Sequence, residues 1–437
     1  MIAEADTKRP LRRHGWQVLV AAGVVYAAVI SVIVADRAES SSDFRDFWEN
    51  AVHLRESGAI SADLGVHNYL PFFTIFMLPW GLLPLPVAMV LFALLSLGLF
   101  GVTVGLAENL LNDGWARGPR RPLLIGLALA LPYVHSCAVL GNVGLLVLFL
   151  LVTTWFLVER GREWQAGVAL GLATLIKLLP GLLIVFFLLK RRWRVAGTAA
   201  AVSIALGLGL PLLTTGYEAT LAQHRAFYER VLQKGSALQT ITSDKPSKAM
   251  YSNNAVPIVL RRLLSPVDGA PGRTDSPLCV NFADLPRRAI LAVYLVLLAV
   301  LVGTSVAVTL PGSRRWPPQT LDQGRAVRAQ FGAWCCLMLL ASPLVWTHYL
   351  PLAYWPLAFL ADRAERTYRT HGRPCRISTA ALILWLAGAL LLAWPAARAA
   401  GAQIANVAGL WLALVVVTWG RGAGGSGGFF RTSRPSA

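Results

Sequence analysis

Long apolar runs, separated by short charged stretches, follow one another along most of the chain. A run of about 20 apolar residues is the length that a helix needs to cross a bilayer. Runs of this kind predict spans at about 16–35, 84–107, 122–136, 139–158, 195–215, 288–311, 329–343, 347–361, 377–395 and 402–420. The pattern therefore predicts an all-α polytopic membrane protein.

The apolar stretch 165–189 differs from the others because Lys177 and Pro180 interrupt its middle. One continuous span would place the basic segments before and after it, ERGRE and KRRWR, on opposite sides of the membrane. Two short helices that meet near Lys177 and Pro180 would place both segments on the same side. We prefer this split, which gives a bundle of about 12 transmembrane helices.

Basic residues set the predicted sidedness, because cytoplasmic loops are enriched in Lys and Arg. With the N-terminus inside, the cytoplasmic segments hold 25 of the 40 Lys and Arg residues, and most of the others lie in one long outer loop. We therefore expect a single transmembrane domain over 1–420 with outer loops at 36–83 and 217–287. The Gly- and Ser-rich residues 421–437 predict a flexible cytoplasmic tail.

Composition agrees with this class of protein. The chain is 56% hydrophobic and 14% charged, whereas a soluble domain is usually about 45–50% apolar and about 25% charged. The net charge of +18 follows from the cytoplasmic loops, and no basic stripe alternates with stacking aromatics as in a nucleic-acid-binding protein. The five cysteines show no metal-binding spacing. Residues 69–82 are too short and too rich in proline to span, so they predict an interfacial helix on the outer leaflet.

Two carboxylates, Asp43 and Asp46, follow the first span on the predicted outer side. On a helix they lie three residues apart and share a face. One of them can serve as a general base at the membrane surface. The alternative is a solvated helix start, where the helix dipole favours Asp.

Three further polar residues lie at predicted helix joins on the same side. Lys177 can hold a lipid phosphate, or it can simply extend to the interface as lysines near helix ends do. His348, in SPLVWTHYLP, has aromatic neighbours that suit a sugar wall or an interfacial belt. Asn142 is either part of the same site or a helix cap.

Five segments, in their order along the chain, resemble glycosyltransferase family 87, a membrane family of the GT-C superfamily. They are DFRDFWENAVHLRESG, NYLPFFTIFMLPWGLLP, the block from GNVG through IKLLP to KRRWR, YSNNAVPIVLRRLL and SPLVWTHYLPL. The resemblance implies a GT-C-like bundle with outer loops and interfacial helices. It also implies transfer of mannose or arabinofuranose from a polyprenyl-phosphate-sugar donor to a glycolipid or cell-envelope glycan. The expected location is the outer face of a bacterial cytoplasmic membrane.

The resemblance also assigns roles to residues. It implies that Asp43 is the catalytic base and that Lys177 and His348 lie near the donor phosphate. The candidate binding set also includes Asp46, Asn142, Asn253 and Asn254. A phosphate leaving group needs positive charge, which Lys245 or Lys248 of the long outer loop could also supply. Asn142 stands where the family commonly has Gln, YLPFF lacks a second Pro, and NNA replaces Asn-Gln-Ser. These departures concern sugar and acceptor more than reaction type.

We expect neither cofactor nor metal ion, because no Asp-x-Asp motif of nucleotide-sugar enzymes stands out in a cytoplasmic loop. A transporter or flippase of lipid-linked or small polar substrates is the competing interpretation. It would require polar residues through the middle of the membrane, whereas here they gather at one face. A noncatalytic membrane scaffold is the third possibility.

Overall fold

The structure, a computed structural model, describes residues 9–38, 40, 42–60, 69–112, 120–243, 250–271, 277–310 and 321–422. Helices make up about four fifths of this part of the chain. The β pairing found within it is one isolated antiparallel bridge between Asn253 and Trp346. Lys245, Lys248 and residues 423–437 of the predicted tail lie outside the described residues.

The helices, in chain order, are α1 (Arg9–Asp36), α2 (Asp43–Ser57), α3 (Pro71–Phe76), α4 (Leu85–Leu111), α5 (Arg121–Leu140), α6 (Gly144–Glu159), α7 (Glu163–Ile176), α8 (Gly181–Leu189), α9 (Trp193–Ile204), α10 (Leu210–Thr215), α11 (Tyr217–Phe227), α12 (Ala237–Thr242), α13 (Val256–Leu264), α14 (Arg287–Thr309), α15 (Leu321–Ala341), α16 (Tyr354–His371), α17 (Arg376–Leu390), α18 (Pro395–Ala399) and α19 (Ala402–Gly422). Short 3₁₀ or π segments join several of them, among them the 3₁₀ helix Thr347–Ala353 that leads into α16.

Seven helical segments of the described chain are long and apolar enough to cross a membrane. They are Gly15–Asp36, Leu85–Leu111, Arg121–Leu140, Trp193–Thr215, Arg287–Thr309, Arg376–Ala393 and Ala402–Trp419. The prediction of an all-α polytopic membrane protein is confirmed. The other predicted spans correspond to α6, α7, α8, α15 and the segment from Thr347 into α16, which are shorter, broken or more polar. The count of about 12 is compatible with this architecture and stays a prediction.

The stretch 165–189 forms two helices, as the preferred split predicts. α7 ends at Ile176, Lys177 is extended, and α8 begins after Pro180. Proline has no backbone N–H and disfavours helical geometry in the residue before it, which explains a break at this point. α7 then packs closely on α9, where a Cβ at Gly171 would lie 2.8 Å from the Ala199 carbonyl oxygen.

Residues 69–82 do not form the single interfacial helix that we predicted. They form α3 and a separate 3₁₀ turn, Trp80–Leu82, because prolines at 71, 79 and 84 divide the segment. The first five residues of α3 are buried, and α2 holds the 3₁₀ turn through Arg55, which donates to the Gly81 carbonyl at 2.6 Å. α3 is therefore packed inside the protein, whereas Leu82 of the 3₁₀ turn is 69% exposed.

Two buried arginines organise the long loop that precedes α14. Arg262 is fully buried and donates to the carbonyl oxygens of Ala399, at 2.8 Å, and Met250, at 2.6 Å. Arg261 donates to the carbonyl oxygen of Thr240 at 3.0 Å. α13 therefore connects the loop to the turn between α17 and α19.

An ion-pair network lies at the start of α5. Arg120 binds Glu108 of α4 at 2.7 Å and Asp362 of α16 at 3.0 Å, and Arg366 binds the other oxygen of Asp362 at 2.7 Å. The 20 residues of α5 separate this network from the turn at Gly141 by about 30 Å. The two ends of the bundle thus carry different polar clusters.

The predicted sidedness can be tested with the chain's own cysteines. Cys279, in the loop 217–287, is exposed, and Cys375, between α16 and α17, is partly exposed. We expect a membrane-impermeant maleimide to label Cys279 in intact cells and to label Cys375 only after permeabilisation. The buried Cys137, Cys335 and Cys336 are the internal controls.

The absence of Cys375 labelling in intact cells would be informative, because the pKa of this thiol favours its reaction with a maleimide. Burial by itself would raise the pKa of the Cys375 thiol, but the nearby polar groups of Ser378 and Arg363 lower it overall. A lower pKa favours the nucleophilic thiolate. Labelling of Cys375 from outside would overturn the predicted orientation.

Candidate active site

Four chain breaks meet at one end of the bundle and bring four polar side chains together. They are the start of α2 with Asp43, the α5–α6 turn with Asn142, the α7–α8 break with Lys177, and the 3₁₀ helix before α16 with His348. Hydrogen bonds and close contacts connect these residues. We call Asp43, Asn142, Lys177, His348 and the adjacent Tyr349 the candidate site.

The start of α2 fixes the position of Asp43. Ser42 is the N-cap, and its hydroxyl oxygen accepts the Arg45 N–H at 3.2 Å, which satisfies a free donor of the first turn. Phe44 and Phe47 are buried and anchor the helix against aromatic rings below. Phe44 stacks with Phe92 at a ring-centroid distance of 4.9 Å. Asp43 therefore sits on a rigid helix end and not on a free loop.

Asn142 makes the central contact of the candidate site. Its Oδ1 accepts the backbone N–H of Gly144 at 2.9 Å. Because a backbone N–H can only donate, this bond fixes the orientation of the amide. The Nδ2 group then points at Asp43 and donates to its Oδ2 at 2.7 Å. The Asn142 side chain thus binds a free backbone N–H at the start of α6, as a helix cap does, and also contacts Asp43.

Two glycines allow this turn to approach its neighbours. Gly141 has a φ of 62°, and a Cβ there would lie 2.4 Å from the Cβ of Phe44. A Cβ at Gly144 would lie 2.8 Å from the His348 carbonyl oxygen. The GNVG segment therefore brings the α5–α6 turn against both α2 and the His348 segment.

Lys177 points inwards. The residue is only 8% exposed, and its ammonium lies 3.4 Å from Asn142 Oδ1 and 3.3 Å from the centroid of the Tyr349 ring. These contacts are an amide hydrogen bond and a cation–π interaction. Burial lowers the pKa of the Lys177 ammonium to about 7. A lysine that merely extends to the interface would be exposed, so the geometry disagrees with that alternative.

His348 completes the group from the opposite side. Its Nε2 lies 3.5 Å from Asp43 Oδ2, and its ring meets that of Tyr349 edge to face at 5.0 Å between centroids. Burial and the Lys177 charge lower the pKa of His348 to about 3. The ring is therefore neutral at pH 7, and its contact with Asp43 is not an ion pair.

The Asp43 carboxylate remains partly open, with a side-chain exposure of 34%. Burial raises its pKa above the ordinary value, although the Asn142 hydrogen bond and the Lys177 charge act in the opposite direction. A carboxylate with a raised pKa is a stronger proton acceptor than an ordinary surface Asp.

The remaining predicted residues have different surroundings. Asn253 Oδ1 accepts the N–H groups of Ala255 and Val345, each at 3.1 Å. The backbone of Asn254 donates to the Val345 carbonyl at 2.6 Å. Both asparagines thus hold the strand-like segment that leads to His348. Asp46 lies one turn beyond Asp43 on α2 and is partly buried, and its role in the site stays a prediction.

Two tyrosines also lie at the site: Tyr349, which the sequence offered only as an aromatic neighbour of His348, and Tyr69, which sequence reasoning did not assign to the site. Tyr349 lies under the Lys177 ammonium. Tyr69 stacks on Phe73 at 4.3 Å, and burial raises the pKa of its phenol while a hydrogen bond with Asn142 opposes that rise. Only its place as the first residue of the YLPFF segment could have indicated Tyr69. Among the described residues no three His, Cys, Asp or Glu side chains converge as a metal site would require.

Comparison with known proteins assigns the family. A sequence model of glycosyltransferase family 87 matches residues 67–343, more than half of the chain. The chain belongs to glycosyltransferase family 87. It is therefore a membrane glycosyltransferase, as the resemblance implied. The matched range contains Asn142 and Lys177, whereas Asp43 and His348 lie just outside it.

Individual relatives are more distant. An α-(1→3)-arabinofuranosyltransferase of Mycobacterium tuberculosis, from strains CDC 1551 / Oshkosh and ATCC 25618 / H37Rv, is 28% identical over 193 residues. The alignment covers 42% of this chain and 44% of the relative. The chain thus matches less than half of the length of these relatives. No solved structure matches.

The close approach at Gly144 gives a test of the site's geometry. In Gly144→Ala the new methyl group must displace the His348 carbonyl, and overpacking of this kind typically costs about 1–3 kcal/mol. We expect a lower unfolding temperature for the purified variant in detergent. The matched control is Gly98→Ala in α4, where a Cβ meets nothing within 4 Å. Equal unfolding temperatures for the two variants would show that the turn does not pack as described.

Proposed function

We propose that this glycosyltransferase moves a sugar from a polyprenyl-phosphate donor to a glycolipid or cell-envelope glycan, at the outer face of a bacterial cytoplasmic membrane. Asp43 is the general base in this proposal. One observation carries it: Asn142 holds a carboxylate and a buried ammonium on its two amide atoms, at one end of a bundle of membrane helices. The arabinofuranosyltransferase relative favours arabinofuranose over mannose.

The carboxylate has the properties that the acceptor half of the reaction needs. The acceptor hydroxyl must lose its proton as its oxygen attacks the anomeric carbon, and a positioned carboxylate can take that proton. The contacts described for Asp43 fall on Oδ2, and in our proposal Oδ1 takes the proton of the acceptor. The raised pKa of the carboxyl brings it closer to the pH at which it works.

The Lys177 ammonium has the properties that departure of the donor phosphate requires. As the glycosidic bond breaks, negative charge builds up on the leaving phosphate, and a fixed cation stabilises that charge. Lys177 is already desolvated and held by Asn142 and Tyr349, so little reorganisation is required. His348, neutral and adjacent, can add an N–H donor.

The place of the candidate site suits a lipid-linked donor. Such a donor keeps its chain in the bilayer and its phosphate at the surface, so the reacting groups must lie at helix ends. Asp43, Asn142, Lys177 and His348 all lie at helix ends or breaks. The distribution of Lys and Arg supports the outer face, because the cluster lies opposite the end with the basic loops.

Replacement of Asp43 tests the base. Asp43→Asn keeps the shape of the side chain but cannot take a proton, so we expect turnover to fall by at least about 10²-fold. Donor binding should persist. The measurement is sugar transfer in membranes at matched expression, with polyprenyl-phosphate-arabinofuranose and polyprenyl-phosphate-mannose as the two donors.

Two variants on the same helix serve as comparisons. Asp46→Asn should lose much less activity than Asp43→Asn. Glu49→Gln, which removes a surface ion pair with Arg45, should behave as the wild type. Activity in Asp43→Asn together with a dead Asp46→Asn would mean that the wrong carboxylate was chosen. No transfer from either donor by the wild type would contradict the proposed donor class.

The pH dependence tests Lys177. Its charged form binds phosphate, and that form is lost as the pH rises through the pKa of about 7 in the empty site. We therefore expect kcat/KM for the donor to decline above about pH 7. Lys177→Arg keeps its charge to far higher pH, so its decline should shift to more alkaline values.

Removal of the charge gives the second arm of this test. Lys177→Met should raise the KM for the donor about tenfold or more, because a hydrogen bond to a charged group is lost. The retained fold is checked by an unchanged elution volume in size-exclusion chromatography. A wild-type KM in Lys177→Met, or an unshifted alkaline limb in Lys177→Arg, would remove Lys177 from the donor site.

A further inference from the structure

A second polar site lies at the other end of the bundle, near the ion-pair network of Arg120. There α15, α16 and α19 border an open cleft with about 420 Å³ of empty space, counting the part that is continuous with solvent. Its polar lining consists of Arg325, Asp362, Arg363, Arg366 and Thr367, and Phe359 and Val417 form an apolar wall. We call it the arginine cleft.

The arginine cleft is positively charged. Its lining contains three guanidinium groups and one carboxylate, that of Asp362. Both oxygens of Asp362 are engaged, Oδ1 with Arg120 at 3.0 Å and Oδ2 with Arg366 at 2.7 Å. The network of Arg120, Glu108, Asp362 and Arg366 is neutral as a set. Arg363, which also lies beside the Cys375 thiol, brings a further cation to the lining of the cleft, and such a cleft attracts anions.

The hydrogen-bond donors of the arginine cleft also favour an anion as its ligand. Arg363 Nε is buried and has no hydrogen-bond partner among the described residues, a state that costs free energy. The Thr367 hydroxyl donates its proton to the Arg363 carbonyl at 2.9 Å, so the donors that remain for an anion are those of the guanidinium groups. Guanidinium groups pair well with phosphate because several N–H donors match its oxygens.

The apolar wall restricts the kind of anion. Val417 lies near the end of the membrane-spanning segment Ala402–Trp419, and Trp419 is exposed beside it. Exposed tryptophans near helix ends mark the membrane–water interface. The arginine cleft therefore lies where a headgroup and the first part of an acyl chain meet.

We propose that the arginine cleft binds the phosphate headgroup of an anionic membrane lipid, in the leaflet opposite the candidate site. Basic pockets between transmembrane helices commonly bind such headgroups. A free phosphate ion shares the chemistry of the headgroup but has no apolar part that could contact Phe359 and Val417. The bound lipid would contact α15, α16 and α19 together, because each of these helices contributes residues to the cleft. The proposal is independent of the donor and of the role of Asp43.

The test measures lipid retention by the purified full chain in detergent, by native mass spectrometry. The probes are phosphatidylglycerol, phosphatidylcholine and inorganic phosphate. We expect phosphatidylglycerol to bind more tightly than phosphatidylcholine. Arg363→Gln and Arg325→Gln should each weaken it about fivefold, since each basic residue near a membrane surface contributes about that factor.

Two variants control for charge and for folding. Arg369→Gln, on the same helix but exposed and paired with Glu365, should bind phosphatidylglycerol as the wild type does. Arg363→Lys keeps the charge and should retain more binding than Arg363→Gln. An unfolding temperature in phosphatidylcholine equal to that of the wild type shows that each variant is folded.

Three outcomes would overturn the proposal. Phosphatidylglycerol could bind no more tightly than phosphatidylcholine, or Arg363→Gln and Arg325→Gln could bind it as the wild type does. In the third, inorganic phosphate competes with phosphatidylglycerol at equal concentration, which would show that the cleft recognises soluble phosphate and not a lipid.

Discussion

The side-chain amide of Asn142 is the interaction on which the rest of the candidate site depends. A carboxylate and an ammonium in direct contact would satisfy each other and resist any substrate that needed either charge. The amide separates them: Nδ2 donates to Asp43 while Oδ1 accepts from Lys177 and from the Gly144 backbone. Each charge thus keeps hydrogen-bonding capacity for another group. Three separate parts of the chain converge at this single side chain.

The ends and breaks of the membrane helices place these polar side chains together. α7 and α8, with 14 and 9 residues, are shorter than an ordinary span of about 20 residues, and the break between them places Lys177 inside the protein. The 3₁₀ helix before α16 has the same effect for His348. Irregular backbone of this kind is tolerated near a membrane only where it is buried in protein or lines a cavity. The breaks therefore coincide with the polar site.

Local patterns predicted the helices and the break at Lys177, because apolar run length and proline act within a few residues. They also indicated Asp43, Lys177 and His348 as polar residues at helix ends. They could not predict that Asn142 would bond to a carboxylate 99 positions away, or that Asn253 would hold the backbone before His348. Residues 69–82 were mispredicted for a related reason: their burial depends on packing against α2, and nothing in their own pattern indicates it. Tyr349 was considered only as part of an aromatic wall. Its contact with Lys177 depends on the 3₁₀ helix, which directs neighbouring side chains differently from an α-helix, and the sequence pattern does not show this.

The buried state of Lys177 has a consequence for proton balance. An ammonium with a pKa of about 7 is only partly protonated in the empty site at neutral pH, and a phosphate anion beside it would draw the equilibrium towards the charged form. In the proposed reaction, donor binding is thus accompanied by proton uptake from solvent, and departure of the lipid phosphate returns that proton. The heat of donor binding would then vary with the ionisation enthalpy of the buffer. The lysine would carry one proton in and out with each lipid, separately from the proton that leaves the acceptor through Asp43.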